Sequence, residues 1–298
     1  VARGYQTEKI KEKLIDVLLD SKTGLSGIEL AEKLRINRIT MTKYLKVFAA
    51  EGLVKKKNLG SVNLWFMEEG VDHLRFPADF FQVKNKYLQY LFSGAHRESH
   101  NILRNSLHSG ADPAKIIIEV IIPAIEAVQD SYDKGKISKS EKNFLEGIIS
   151  NSIQIINLTE VETDPKKNVV VFSTDSQGVL LAQASSAAFH VGGWKVSQLG
   201  DMSSAIDVML DIDLQKFLNK IWNKKQGLMI IVMFSKVEGG LKFFSEAINA
   251  TKTKFGKTLH LVLCTNIAKK TKIKADFVSE DLETVLRWCQ TVYESSQL

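Results

Sequence analysis

Ser173-Thr174-Asp175-Ser176-Gln177-Gly178 gathers three hydroxyls, a carboxylate, an amide and a glycine into six residues. Such a set can hold a small molecule by hydrogen bonds. It does not pair a nucleophile with a base, so it carries no obvious catalytic couple. Elsewhere chemistry-bearing residues are sparse. His96 and His100 stand at i, i+4, the spacing that lets two imidazoles share a metal, but no cysteine or third histidine accompanies them. Two surface histidines on a polar helix is the simpler reading. Cys264 and Cys289 form neither a CxxC pair nor a disulfide framework and read as two small buried hydrophobes. There is no phosphate-binding glycine loop. The expectation is a binding protein rather than an enzyme, with no catalytic residue and no metal site.

A second kind of chemistry lies near the start of the chain. Arg38, Thr40, Thr42, Lys43 and Lys46 alternate with Met41, Leu45 and Phe48, and Lys55, Lys56 and Lys57 follow shortly after. Short hydroxyls and cations are the side chains that meet phosphates and base edges of double-stranded DNA. The formal net charge of +6 permits that partner without requiring it.

The elements that must position these residues follow from the hydrophobic periods. The loop 173–178 comes after an apolar strand, Val169 to Phe172, and before a helix of small residues that ends at Gly192-Gly193. A second strand, Trp194 to Leu199, completes a β-loop-α-β unit. Further strands are expected at Leu228 to Phe234, Leu259 to Cys264 and Ala275 to Val278, with helices between them. Continuous apolar strands alternating with helices imply a five-stranded, flavodoxin-like parallel sheet. Ligands of such sheets bind at the carboxyl ends of the first and third strands, which points back to 173–178.

Upstream, helices are expected at Thr7 to Leu19, Ile28 to Leu34 and Arg38 to Glu51, the second with a Ser26/Glu29 capping box, the third closed by Gly52. A hairpin follows, turning at Asn58-Leu59-Gly60 and returning from Ser61 to Met67. After Pro77, four helical stretches (Lys84 to Phe92, His96 to Leu107, Ile116 to Val128 with a kink at Pro123, and Ser138 to Ile156) suggest a four-helix bundle. A polar segment, Thr159 to Lys167, then leads into the sheet. The fold class is multidomain, α+β followed by α/β, with boundaries at 1–76, 77–162 and 163–298. No apolar run approaches the ~18–20 residues of a membrane span, and a cytoplasmic protein is expected.

Three segments resemble known families. LAEKLRINRITMTKYLKVFAAEGLV resembles the helix-turn-helix of winged-helix transcription regulators, which implies that the helix from Arg38 enters the major groove and that Lys55 to Lys57 lie on the backbone. One departure is Arg35, where the family has a small turn residue; it would need a left-handed backbone. SGADPAKIIIEVIIPAIEAVQDSYDKGKISKSEKNF is similar to the helical cap of corrinoid-binding proteins, and AAFHVGGWKVSQLGDMSSAIDVM to their B12-binding domain. In B12-dependent photoreceptor regulators a tryptophan and a histidine of the cap cover the corrin; Tyr132 and Asn143 take those places. Gly178 matches the last glycine of the Asp-x-His-x-x-Gly loop, Ser173 replaces its aspartate and Asp175 its lower-ligand histidine. Ser235 and Val237 match Ser-x-Leu. The paired glycines after the fourth strand are replaced near Cys264-Thr265-Asn266.

The resemblance implies a DNA-binding regulator, a homodimer or homotetramer, whose C-terminal module senses a ligand, cobalamin being possible, or mediates assembly. The alternatives are a corrinoid-dependent methyl carrier and a ligand-free scaffold.

Overall fold

The computed structural model describes residues 7–19, 21, 24–50, 53–59, 62–67, 74, 76, 78–205, 210–222, 226–265 and 273–297. Gly52, Gly60, Ser61, Pro77, Asn266 and the stretch 206–209, all used above, lie outside the described residues. The chain forms two compact units, Val1–His73 and Leu74–Leu298.

The first unit runs α1 (Thr7–Leu19), β1 (Leu25–Ser26), α2 (Gly27–Leu34), α3 (Arg38–Ala50), β2 (Lys55–Leu59) and β3 (Val62–Phe66). The strands form an antiparallel sheet in the order β1-β3-β2. Leu14, Leu30, Met41, Leu45, Phe48 and Trp65 close one core beneath the three helices. The capping box is present, with Ser26 Oγ accepting from Glu29 N and Glu29 accepting from Ser26 N. Arg35 has φ 53° and ψ 42°, the left-handed turn that its position demands. Its N–H and that of Ile36 bond back to the last carbonyls of α2, which is why the strained geometry persists.

The second unit begins with α4 (Phe80–Phe92) and α5 (His96–His108). A long helix follows in three parts: α6 (Pro113–Ile116), a π-helical turn (Ile117–Ile121) and α7 (Ile122–Asp133). The break expected at Pro123 takes this form. Ile122 N–H reaches back five residues to the Ile117 carbonyl, and the widened turn absorbs the donor that Pro123 lacks. Helix α8 (Lys139–Asn157) starts on a Ser138/Glu141 capping box.

The sheet is built from β4 (Asp164–Ser173), α9 (Val179–Val191), β5 (Trp194–Asp201), α10 (Leu210–Ile221), β6 (Leu228–Phe234), α11 (Glu238–Phe255), β7 (Leu259–Cys264), β8 (Phe277–Val278) and α12 (Leu282–Ser296). Its order is β5-β4-β6-β7-β8, all parallel, the flavodoxin-like arrangement that the alternation of strands and helices implies. Strand β4 begins earlier than its apolar residues do. Asp164 pairs with Trp194 before an irregularity that carries Pro165, so the end of the polar segment belongs to the sheet.

Helix α9 joins bundle and sheet within this unit. Leu180, Ala184, Ala187 and Ala188 lie in the core of the bundle with Val83, Tyr87 and Ile149. Ala182 and Phe189 lie on the sheet with Val169 and Val171. A helix buried on both sides needs small side chains, and this one has them. The bundle and sheet stretches, 77–162 and 163–298, therefore meet in shared apolar packing.

Candidate functional site

In the second unit, strands β4 and β6 are neighbours, and the loops after them meet at the carboxyl edge of the sheet. The chain leaves β4 to one side and β6 to the other, so this is the switch point of the sheet. Ser173, Asp175, Gly178, Ser235 and Val237 all converge there. Ser173 is fully buried, and its Oγ donates to the Asp175 carbonyl at 2.6 Å. Thr174 Oγ1 donates to Ser235 Oγ at 2.7 Å. The Ser235 hydroxyl lies 2.8 Å from the Val237 carbonyl, which opens α11.

Asp175 holds the knot together. One carboxylate oxygen accepts from Gln177 N and Gly178 N, each at 3.0 Å. The other accepts from Lys236 N at 2.6 Å and lies 3.2 Å from Ser235 Oγ. Both oxygens are thus spent on the protein, and the residue is only 8% exposed. Gly178 has an ordinary φ of −84°. Its glycine is required by space: a Cβ would stand 2.4 Å from Ser173 Oγ and 3.2 Å from Phe234 Cβ. Cys264 and Thr265, where the family's paired glycines would lie, are buried. Burial pushes both thiols up, that of Cys289 to about 12.

These residues do not fit a corrinoid held by a protein ligand at position 175. Turning Asp175 toward a cobalt would break bonds to three backbone N–H groups, and a carboxylate is a poor substitute for imidazole there. Ser235 keeps its expected place but spends its hydroxyl on Thr174, Asp175 and Val237. Val237 itself is half exposed.

Tyr132 and Asn143 are not joined to this network by any hydrogen bond among the described residues. Tyr132, on α7, lies under two ammonium groups, with Lys139 Nζ 5.6 Å and Lys142 Nζ 5.2 Å from its ring centre. Lys142 is buried and pairs with Glu146 at 3.3 Å. The sequence reading missed this cation because Lys on a helix normally faces water. Asn143 is exposed. One turn further along α8, Gly147 leaves open space. Beyond it Ser150 Oγ donates to Gln183 Oε1 of α9 at 3.0 Å. His190 Nε2 lies 3.1 Å from the Thr159 carbonyl, a packing role. His96 and His100 face each other with ring centres 5.8 Å apart. Desolvation lowers the pKa of His100. Among the described residues no group of three or more His, Cys, Asp or Glu gathers as a metal site.

In the first unit, α3 turns Met41, Leu45 and Phe48 inward. Arg38, Thr42, Lys43 and Lys46 are exposed, whereas Thr40 is half-buried on the flank. Thr42 bonds its hydroxyl to the Arg38 carbonyl at 2.9 Å. Ile39, Lys43, Lys46, Val47 and Ala50 are exposed on the side away from the core. Ile39 and Val47 were passed over in the sequence because apolar residues were assigned to the core; the helical angle, not the residue type, shows their exposure. Lys55, Lys56 and Lys57 are all exposed on β2. Strand alternation turns Lys56 to the face opposite Lys55 and Lys57, so the three do not form one row. The last described pair of the hairpin is Leu59 and Val62.

No protein-family model matches the chain, and no curated protein matches it. Among solved structures, the monomethylamine corrinoid protein of Methanosarcina barkeri is similar with a TM-score of 0.55 and 14% identity, over 71% of this chain and 99% of that one. The methanol:cobalamin methyltransferase complex MtaBC from the same organism reaches a TM-score of 0.36 at 13% identity, over 86% of this chain and 93% of that one, too loose a likeness to build on. Over the 71% that the first of these covers, the chain thus shares the fold of a corrinoid protein. No helix among the described residues is long and apolar enough to cross a membrane.

Proposed function

We propose that the protein is a DNA-binding transcription regulator, not an enzyme, whose second unit is a regulatory module of the corrinoid-protein fold. The observation that carries this reading is the first unit. Helix, strand, helix, helix and a two-stranded hairpin follow in the winged-helix order, and α3 presents Arg38, Lys43 and Lys46 on an exposed face without one acidic residue. Lys55, Lys56 and Lys57 add charge on the adjoining strand. Regulators of this kind read paired half-sites, so a homodimer or homotetramer is proposed. The second unit would report a ligand or hold the assembly together. Cobalamin is the candidate ligand to test, on the strength of the fold alone, since the Asp175 carboxylate is engaged within the protein.

The test has two parts. Fluorescence-anisotropy titration with duplex DNA should give salt-dependent binding, weakened by about 1–3 kcal/mol in Lys43→Ala if that lysine touches a base. Binding that ignores both salt and Lys43→Ala would remove the role of α3. Visible absorption after incubation with cobalamins and gel filtration addresses the second unit. A retained corrin spectrum supports a cobalamin sensor; a colourless protein leaves assembly as its task.

The likeness to a solved corrinoid protein favours a second reading, a corrinoid-dependent methyl carrier. The engaged carboxylate of Asp175 weighs against it. Turnover in a methyl-transfer assay would establish it over the regulator.

A further inference from the structure

Ile39 is a large β-branched side chain left 70% exposed in the first turn of α3. Its backbone is fixed, since Ile39 N–H bonds to Asn37 Oδ1 at 2.9 Å. Along the helix, Lys43 and Lys46 stand one and two turns on, at i+4 and i+7, on the same outward face. Val47, also exposed at 47%, extends the apolar part of that face. An apolar residue set among cations and without a carboxylate nearby on its helix suits one kind of partner. That partner must be a polyanion which carries an apolar spot within reach of its charges. Duplex DNA meets this description in the major groove, where thymine alone presents a C5 methyl group among hydrogen-bonding edges. The first turn of a helix entering the groove is also where base contacts concentrate.

We propose that Ile39 reads the C5 methyl of a thymine, so that each half-site of the operator carries a T at one fixed position. This rests on the DNA-binding reading above. Asn37 fixes the position of Ile39, Lys46 neutralises a flanking phosphate, and the isoleucine supplies the preference for thymine. Thr42, whose hydroxyl is committed to the Arg38 carbonyl, has less to offer as a reader.

The experiment uses the full chain. A bound duplex is first selected from a randomised pool, and each thymine in it is then replaced singly by uracil, which deletes only the methyl group. Wild-type protein should lose about three- to fivefold in affinity at one thymine per half-site, the worth of one buried methyl. Ile39→Ala should bind thymine and uracil duplexes equally at that position and keep its salt dependence, while Lys43→Ala should weaken both duplexes alike. Because Ile39 faces solvent, its truncation spares the core, and the uracil series needs no variant at all. If DNA is bound but no uracil substitution matters, or Ile39→Ala keeps the preference, the assignment of Ile39 is overturned while DNA binding stands. If no duplex is enriched, the DNA-binding reading falls and the assignment with it.

Discussion

Asp175, which the resemblance to corrinoid-binding proteins sets in the place of a lower-ligand histidine, is spent here on the fold. Its carboxylate ties the loop after β4 to the loop after β6 through three backbone N–H groups and Ser235. Replacing it by alanine leaves buried donors without acceptors. Asp175→Ala should destabilise the second unit by about 2–4 kcal/mol, and Asp175→Asn by roughly half as much, because one amide oxygen still accepts from Gln177 and Gly178. Urea titrations of the three proteins check the order; equal stability would show that the knot is dispensable. At Arg35 the opposite change is expected. A left-handed backbone costs a residue with a Cβ about 1 kcal/mol, which glycine avoids. Arg35→Gly should therefore raise the melting temperature of the first unit by roughly 4–8 °C.

At the scale of elements, the contact between β4 and α12 carries a pH signature. Tyr293 Oη donates to Asp164 Oδ2, and this bond together with Lys166 N–H holds the Asp164 carboxyl below its usual range. The same bond pushes Tyr293 up to about 12. A depressed carboxylate contributes stability above its unfolded value and loses it as pH falls through the folded one. A raised phenol contributes below its unfolded value, near 10, and loses it as pH rises through about 12. Tyr293→Phe should thus cost about 0.5–1 kcal/mol at neutral pH, modest because the pair is partly solvated. The gap to wild type should close below about pH 4 and above about pH 10. Denaturant midpoints across that range measure it, and a gap independent of pH would mean that the bond contributes nothing. The same scale explains the π-helical turn. Pro123 announces a missing donor in the sequence, but a kink and a widened turn answer it equally well, and only the packing of Ile117, Val120 and Ile121 into the bundle core selects the latter.

For the whole molecule, each unit closes its own core, one around Leu14 and Phe48, the other around α9 and the sheet. Two unfolding transitions are expected in calorimetry, with Arg35→Gly moving only that of residues 1–73 and Asp175→Ala only that of 74–298. A single transition shifted by both would contradict this. Much of the architecture was open to reading in one dimension. Runs such as Leu228–Phe234 and the alternation around them specify a parallel sheet, because a strand buried on both faces must be apolar throughout. The capping boxes at Ser26 and Ser138 mark helix starts, because the orphan N–H groups of a first turn need local acceptors. Local chemistry of this kind lies between residues a few positions apart, so the chain by itself determined it. Tertiary structure alone decided the rest. Asp175 meets Lys236 across 61 residues. Lys142 and Tyr132 come together only when two helices pack. Ile39, apolar in type, is turned to solvent by the angle at which α3 lies on its core. Each of these depends on which surfaces meet in space, a property that sequence spacing does not carry.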